Sequence, residues 1–534
     1  MKIINKFFTK EISGPFTIPS GIVATGSSVI EKIANEIPEV GILTTKSIGF
    51  KPREGNKEPI IAQLSPFSFI NAVGLTNPGA EEFAKDLSNI KIPKNKFLLV
   101  SIFGGNEEEF KDVAEKLYDF ADGFELNVSC PHSDKYGQVI GQDKYLVIRI
   151  IKEVSSLKKP VFIKISPKLD VEETLEYAIK AGISGITAIN TKGPEKYLYD
   201  NYTVLSNKIG GVSGKAILNI GIESVKKIRK ITNLPIIACG GISRAEDVRL
   251  YKEAGADFFG VGSALAGMDT AEIKDYFREL LKDVNNNTEN SGRFLKEKLN
   301  MEYKKFEIRE NKQLAKDLFF LMFNEKIEIK PGQFIFAWLP EKGEKPFSVF
   351  DNDPLTLLVQ KKGCLTDELS KLKKGDIVYI RGPYGKSPKI EGKILLVGGG
   401  TGIAALYLYA KINKKTSAIL GAKDKQHLFC EKFKPFCENL YLNTDNGEMG
   451  DKGFVTDRLE KVMESEKIDY CINCGPEPMV KAAIEKEKKY LGLDKIYSSI
   501  EFLTKCGIGL CGSCATSKGY RSCVDGTFFK FDKY

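Results

Sequence analysis

Nothing in this 534-residue chain approaches the roughly 18–20 consecutive apolar residues that a membrane-spanning helix requires, so the sequence holds no candidate span. No charged n-region and apolar h-region stand at the start, which leads straight from Met1 into folded-looking sequence; a cytoplasmic location is the default expectation. Basic residues form no block and no run interleaved with aromatics. The net charge of +9 is dispersed over Lys/Glu-rich helical stretches, which argues against a nucleic-acid partner. Cysteine is also scarce for the length. Eleven in so long a chain do not make a disulfide framework, and four crowded at one end suit a reducing compartment and a metal centre.

What is present is an ordinary globular composition, 42% hydrophobic and 28% charged, in a chain long enough for roughly three or four domains. The four crowded cysteines, Cys506, Cys511, Cys514 and Cys523, follow the spacing C-x4-C-x2-C-x8-C within a glycine-rich run. That spacing opens like plant-type ferredoxins and can wrap one [2Fe–2S] cluster, because glycines let the backbone approach the sulfurs. A zinc knuckle or four unrelated cysteines are the alternatives, although zinc sites usually show two C-x2-4-C pairs. A cluster moves one electron at a time, so the chain must also contain an electron donor and an acceptor.

The first half alternates short apolar runs with amphipathic stretches. Eight strands are expected at 19–24, 41–46, 97–103, 123–128, 161–165, 185–190, 235–239 and 258–261, with helices at 107–120, 145–156, 171–181 and 245–254. Eight β/α units over about 250 residues predict an α/β TIM barrel. The polar residues Thr25, Lys46, Ser101, Asn127, Cys130, Lys164, Asn190 and Thr191 recur at or just past the strand ends, where barrel active sites are built. Glycine-rich turns at 210–214, 240–241 and 262–263 offer backbone N–H groups to a phosphate, and with Lys46 and Lys164 nearby an FMN fits that mouth. Cys130 stands beside Pro131 in a loop, a better place for a reactive thiol than for a core one. An unperturbed thiol is only a few per cent ionised at pH ~7, so as a base it works best above neutrality.

The runs ELNVSCP from Glu125, NAVGLTNPG from Asn71, KISP from Lys164, AINT from Ala188 and GVSG from Gly211 together resemble the catalytic subunit of class 1 dihydroorotate dehydrogenases, over residues 1 to about 280. The resemblance implies FMN-dependent oxidation of dihydroorotate to orotate, with Cys130 as the base. It places the pyrimidine and its carboxylate on Lys46, Asn71, Asn127, Asn190 and Thr191, with Ala72, Val73, Gly74 and Leu75 beside them. FMN would be lined by Thr25, Lys46, Ser47, Ser101, Asn127, Lys164, Ile189, Gly214, Gly240, Gly241, Gly262 and Ser263. Two positions depart from the commonest pattern: His132 stands after Cys-Pro where Asn is usual, and Ser101 where Asn is frequent. The Cys-Pro-His form also resembles dihydropyrimidine dehydrogenases, which leaves NAD(P)H-driven uracil or thymine reduction as an alternative. A non-catalytic flavin and iron–sulfur electron carrier is a second alternative, against which Cys130 argues.

A polar stretch at 285–292 is the best candidate linker. Beyond Met301, strands expected at 317–324, 333–339, 355–360 and 376–381 suggest a small antiparallel barrel, in which Lys345, Pro346, Phe347 and Ser348, with Gly363 and Thr366, could hold a second flavin. A buried strand at 393–397 then runs into Gly398, Gly399, Gly400, Thr401 and Gly402 and a helix, the local form of a pyrophosphate site. Further strands are expected at 417–421, 440–443 and 470–474. Cys471 and Cys474 read as structural.

Residues 301–534 resemble the electron-transfer subunit of class 1B dihydroorotate dehydrogenases, in the ferredoxin reductase superfamily. This implies FAD on the residues just named, with Lys345 in place of the usual Arg, and a nicotinamide cofactor on Gly398 to Gly402 and on Cys474, Gly475 and Pro476. The domains expected are an FMN barrel (1–284), a linker (285–300), an FAD barrel (301–390), an NAD-binding α/β domain (391–495) and a [2Fe–2S] domain (496–534). The resemblance further implies a homodimer through the barrel. NAD against NADP stays open, since Lys423 and Asp424 pull in opposite directions.

Overall fold

The computed structural model describes residues 6–128 and 143–531. The described chain divides into two compact units, the residues up to Leu299 with Ile508–Gly519, and Asn300–Gly507 with the chain from Tyr520 onward.

The first unit is built on a closed barrel of eight parallel strands in sequence order: β1 Phe16–Ile18, β2 Val40–Thr44, β3 Phe97–Ile102, β4 Gly123–Leu126, β5 Val161–Ile165, β6 Gly185–Ala188, β7 Ile236–Cys239 and β8 Phe258–Gly260. The TIM barrel expected from the sequence is therefore present. Its first strand lies earlier than expected. Residues 19–24 form a turn instead, since Pro19 has no N–H for the ladder and Gly21 and Val23 take positive φ. The amphipathic helices cover the outside, and their ends follow capping chemistry. Asp170 accepts the Glu173 N–H at 3.0 Å, and Gly182 closes the same helix in the left-handed region.

Barrel strands bury both faces, and the interior is layered. At the N-terminal end, Phe97, Phe162 and Phe258 meet Ile42 and Ile237, and Phe7 of the N-terminal hairpin inserts among them, its ring 4.7 Å from Phe97 and 4.6 Å from Phe258. Gly185 makes room, because a β-carbon there would sit 2.2 Å from the Phe162 ring. Toward the other end the buried side chains turn polar: Ser101, Glu125, Lys164 and Thr187. An aromatic plug thus closes one end and the chemistry is left to the other.

Above that end, Lys192–Glu195, Gly210–Gly214, Ser68–Asn71 and Ile61–Ser65 form a four-stranded antiparallel sheet. The run 210–214, expected as a turn, is a strand paired with Ser68–Asn71. Its glycines permit this closeness, since a β-carbon on Gly214 would lie 1.8 Å from the Phe67 carbonyl oxygen.

The stretch 285–292, expected as a linker, lies against this same unit. Helix Thr270–Asn286 runs into it, and the wholly buried Asp283 accepts the Ser291 N–H at 2.6 Å and the Thr288 hydroxyl. Glu289 binds Arg249 at 2.9 Å. Polar composition here serves capture by buried and surface charges rather than solvation.

The second unit joins a closed six-stranded antiparallel barrel to a seven-stranded sheet. The barrel strands are β9 Lys304–Ala315, β10 Leu318–Phe323, β11 Phe334–Leu339, β12 Gly343–Asn352, β13 Leu355–Gln360 and β14 Ile377–Tyr384, ordered 9-10-13-12-11-14. β9 and β12 were not foreseen, because charged and solvent-facing residues dilute their alternation. In the sheet, parallel strands β15 Ile394–Gly399, β16 Thr416–Ala422, β17 Asn439–Thr444, β18 Asp451–Lys452, β19 Tyr470–Cys474 and β20 Ile496–Ser499 are joined by the antiparallel β21 Phe529–Lys530, in the order 18-17-16-15-19-20-21. The terminal region expected as a separate domain thus contributes two strands here, while Ile508–Gly519 belongs to the first unit.

Helix Ile403–Ile412 is apolar on every side. Its Tyr407 stacks on Phe350 of β12 at 4.3 Å, so the helix is buried between sheet and small barrel.

Candidate functional site

In the first unit the predicted residues gather at the C-terminal end of the parallel barrel. Thr25 follows β1, Lys46 and Ser47 follow β2, Asn127 follows β4, and Ile189, Asn190 and Thr191 follow β6. Gly240 and Gly241 follow β7, and Gly262 and Ser263 follow β8, while Ser101 and Lys164 lie within β3 and β5.

A chain of hydrogen bonds ties many of them together. The Ser47 hydroxyl is the hub, 3.0 Å from the Ser20 hydroxyl, 2.9 Å from that of Ser101 and 3.0 Å from the Asn127 amide nitrogen. Asn127 in turn accepts from the Asn190 amide at 3.4 Å, and Ser101 donates to Glu125 at 3.0 Å. Glu125 lies 3.5 Å from Lys164 Nζ, and both side chains are more than nine-tenths buried. Glu125 was not singled out from the sequence. Its signal was a carboxylate inside an otherwise apolar strand, a position that a buried charge occupies only with a partner.

Cys239, at the end of β7, is not a competing base. Burial pushes its thiol up to about 12, and nearby Lys164 only partly offsets this. Cys130 and His132 lie outside the described residues.

The remaining residues expected on the substrate side belong to the four-stranded sheet and the loop that follows it. Asn71 ends its strand and donates to the Gly211 carbonyl at 3.3 Å. Ala72 to Leu75 form the following loop, with Gly74 and Leu75 at positive φ. Gly214, Gly240 and Gly241 also have positive φ, a backbone that turns N–H groups in directions that side-chain-bearing residues rarely allow. The cation, the hydroxyls and these glycines fit the ring and phosphate of a flavin mononucleotide.

In the second unit Lys345 to Ser348 lie within β12, Lys345 and Ser348 exposed. Thr366 Oγ1 accepts the N–H groups of Lys362 and Gly363 at 2.9 and 3.1 Å and so shapes the turn that carries Gly363. β15 ends in Gly398 and Gly399, Gly400 to Gly402 make a single 3-10 turn, and helix Ile403–Ile412 follows. A β-carbon on Gly402 would lie 2.5 Å from the Cys474 carbonyl oxygen, while Gly400 faces open space. The glycine turn and the Cys474 to Pro476 segment therefore abut, and they leave the helix N-terminus clear for a pyrophosphate. Burial pushes the Cys474 thiol up to about 12. Cys471 is fully buried in β19, in line with its structural reading. Asp424 is engaged within the chain, its Oδ1 2.6 Å from His427 Nδ1 and 3.1 Å from the His427 backbone nitrogen.

Cys506 and Cys523 are buried in the second unit and Cys511 and Cys514 in the first, and Gly507, Gly509 and Gly512 take positive φ. Four thiols on so glycine-rich a run have the chemistry of a donor set that an iron–sulfur cluster would need. Among the described residues no three His, Cys, Asp or Glu side chains are arranged to hold a single metal ion. In the first unit the loop is tied to the barrel, where Val23 donates its N–H to Leu510 at 2.7 Å and Gly267 to Ile508 at 2.9 Å.

A parallel barrel with a cation and hydroxyls at its mouth, followed by a small antiparallel barrel and a glycine-turn nucleotide sheet, defines a flavin- and nicotinamide-linked oxidoreductase. The dihydroorotate dehydrogenase family model matches residues 2–283, and the chain belongs to that family. The catalytic subunit of dihydroorotate dehydrogenase B (NAD(+)) from Methanocaldococcus jannaschii is 37% identical over 284 residues, 52% of this chain and 92% of the relative. That of Pyrococcus horikoshii is 38% identical over 286 residues, again 52% and 92%. A probable electron-transfer subunit of the same enzyme from Thermococcus kodakarensis is 42% identical over 236 residues, 43% of this chain and 97% of the relative.

Proposed function

We propose that this chain oxidises dihydroorotate to orotate in pyrimidine biosynthesis and delivers the electrons to NAD+, with both halves of the two-subunit enzyme in one polypeptide. The observation that carries the reading is the tandem match: a nearly whole catalytic subunit and a nearly whole electron-transfer subunit each find a counterpart in the same chain.

When bound, FMN, FAD and a [2Fe–2S] cluster would supply the redox chemistry that links the pyrimidine to NAD+. The chain's own residues do the rest. Cys130 takes the C5 proton of dihydroorotate as general base. Lys46 supplies a cation for the substrate carboxylate, and Asn71, Asn127, Asn190 and Thr191 hold the amide edges of the ring. Glu125 would hold Lys164 in place for the flavin, and the Ser47 and Ser101 hydroxyls would be ordered by their mutual hydrogen bond. Lys345 offers a point charge to the FAD phosphates, where an arginine would offer a planar fork. Cys506, Cys511, Cys514 and Cys523 would hold the cluster.

Among the described residues no helix is long and apolar enough to cross a membrane. We place the enzyme in the cytoplasm, paired through its barrel unit. The exposed Leu198 and Tyr202 on the hairpin of that unit offer apolar surface for the pairing.

The test is an anaerobic titration of the purified chain, with flavin and iron quantified. Dihydroorotate should bleach the flavin and NAD+ should restore it, while dihydrouracil, which lacks the carboxylate, should do neither. Bleaching by dihydrouracil alone would move the assignment to another pyrimidine.

A further inference from the structure

A buried ionic network in the second unit ends on the main chain of Cys506. Arg381 of β14 grips Glu344 of β12 through two parallel bonds, Nε to Oε1 at 2.6 Å and Nη2 to Oε2 at 2.7 Å. Their side chains are 1% and 0% exposed. Tyr303 donates its hydroxyl to the same Oε1 at 2.6 Å. The remaining guanidinium nitrogen, Nη1, donates to the Tyr384 hydroxyl at 2.8 Å and to the carbonyl oxygen of Cys506 at 3.1 Å. The guanidinium also lies over the Phe336 ring, 4.1 Å from its centre.

The surroundings hold the same place tightly. Gly385, just past β14, donates its N–H to the Cys523 carbonyl at 3.1 Å. A β-carbon on Gly507 would come within 2.9 Å of the Phe336 ring. The end of β14 therefore holds the backbone of two of the four cysteines, one through a side chain and one through the main chain. Glu344 directly precedes Lys345, where the second flavin segment begins.

Stability alone is a poor reason for this pair. Two charges taken wholly out of water cost more than an apolar pair of equal volume, and such replacements are often neutral or stabilising. What an apolar pair could not do is reach the Cys506 carbonyl with a charged donor. We propose that Arg381 and Glu344 are positioning residues for the iron–sulfur ligand Cys506, and that the balance of their two buried charges sets how readily the cluster accepts an electron. The inference rests on the cluster reading of the four cysteines.

Reduction of the cluster adds one electron, supplied by reduced flavin, and no proton. A negative charge thus appears where water is scarce, and a nearby cation favours it while a nearby anion opposes it. The two single substitutions should act in opposite directions. E344Q leaves the guanidinium uncompensated and should favour reduction by about tenfold, a rise of ~59 mV for a one-electron couple. R381Q leaves the carboxylate and should lower the potential by a similar step.

The experiment is redox potentiometry with EPR on the full-length holoenzyme. A lone buried charge can stop a chain from folding, so the double variant E344Q/R381Q is measured as well. It should return the potential toward that of the wild type and still show altered g-values, because Cys506 has lost its charged donor. Unchanged potentials and spectra in the folded variants, or single-variant shifts of the same sign, would overturn the proposal. A reduced wild-type enzyme with no [2Fe–2S] signal would instead sink the cluster reading beneath it.

Discussion

The carboxylate of Glu125 lies 3.5 Å from the ammonium of Lys164, on neighbouring strands of the parallel barrel, with both side chains almost wholly buried. Neither charge has water to fall back on. Removing one partner of such a pair costs roughly 3–5 kcal/mol. E125Q should therefore lower the melting temperature and loosen the flavin, and the FMN retained after gel filtration gives a direct check. Full FMN occupancy with an unchanged melt would show the pair to be dispensable.

In the proposed reaction Cys130 would carry the proton step. General bases of this kind are worth roughly 10²–10⁴-fold, so C130A should cut dihydroorotate-dependent flavin bleaching by that order in stopped flow. NADH should still reduce FAD at the wild-type rate, since the residues proposed to hold FAD and the nicotinamide belong to the second unit.

Gly512 decides how close the cysteine loop comes to the barrel mouth. A β-carbon there would stand 1.7 Å from the Thr25 hydroxyl oxygen, and relieving an overpacked contact costs about 1–3 kcal/mol of local displacement. G512A should leave reduction by dihydroorotate and reduction by NADH intact while slowing electron passage between them. Rapid-mixing spectra that follow FMN and FAD separately would register the uncoupling; coupled turnover at the wild-type rate would refute it.

Stability should also depend on pH through Glu487. This carboxyl is fully buried, accepts the Asn473 amide at 2.8 Å, and is pushed by burial from an ordinary 4.5 up to about 7. Below pH 4.5 folded and unfolded chains both keep the proton. Between there and about 7 only the folded chain keeps it, so stability falls as pH rises across that window and levels off above it. E487Q should remove this slope, seen as a melting temperature that exceeds the wild type's at pH 8 by more than it does at pH 4.5.

Asp283 ties down the stretch after the last barrel helix. D283A would leave the Ser291 N–H without its acceptor, at a cost of about 1–3 kcal/mol. Hydrogen exchange at 287–292 should quicken before any change appears in the barrel strands; uniform protection would argue against the tether.

Much of this was legible in the linear chain because it depends on local pattern. Apolar runs alternating with amphipathic stretches dictate a parallel barrel, and cysteines at x4 and x2 spacing among glycines point to a cluster loop, wherever else the chain goes. Spacing also located Lys46, Asn127, Lys164 and the glycine turns at strand ends. Tertiary structure alone decided which of these meet. Ser47 became a hub because β2, β3 and β4 end side by side, and Glu125 acquired a role only when β5 brought Lys164 beside it. Arg381 and Glu344 lie 37 residues apart, and Cys506 a further 125 beyond Arg381. Their meeting depends on the closure of a barrel and the return of a distant loop, a matter of long-range pairing that no local pattern encodes. Only the fold could place a buried cation against a cysteine's carbonyl.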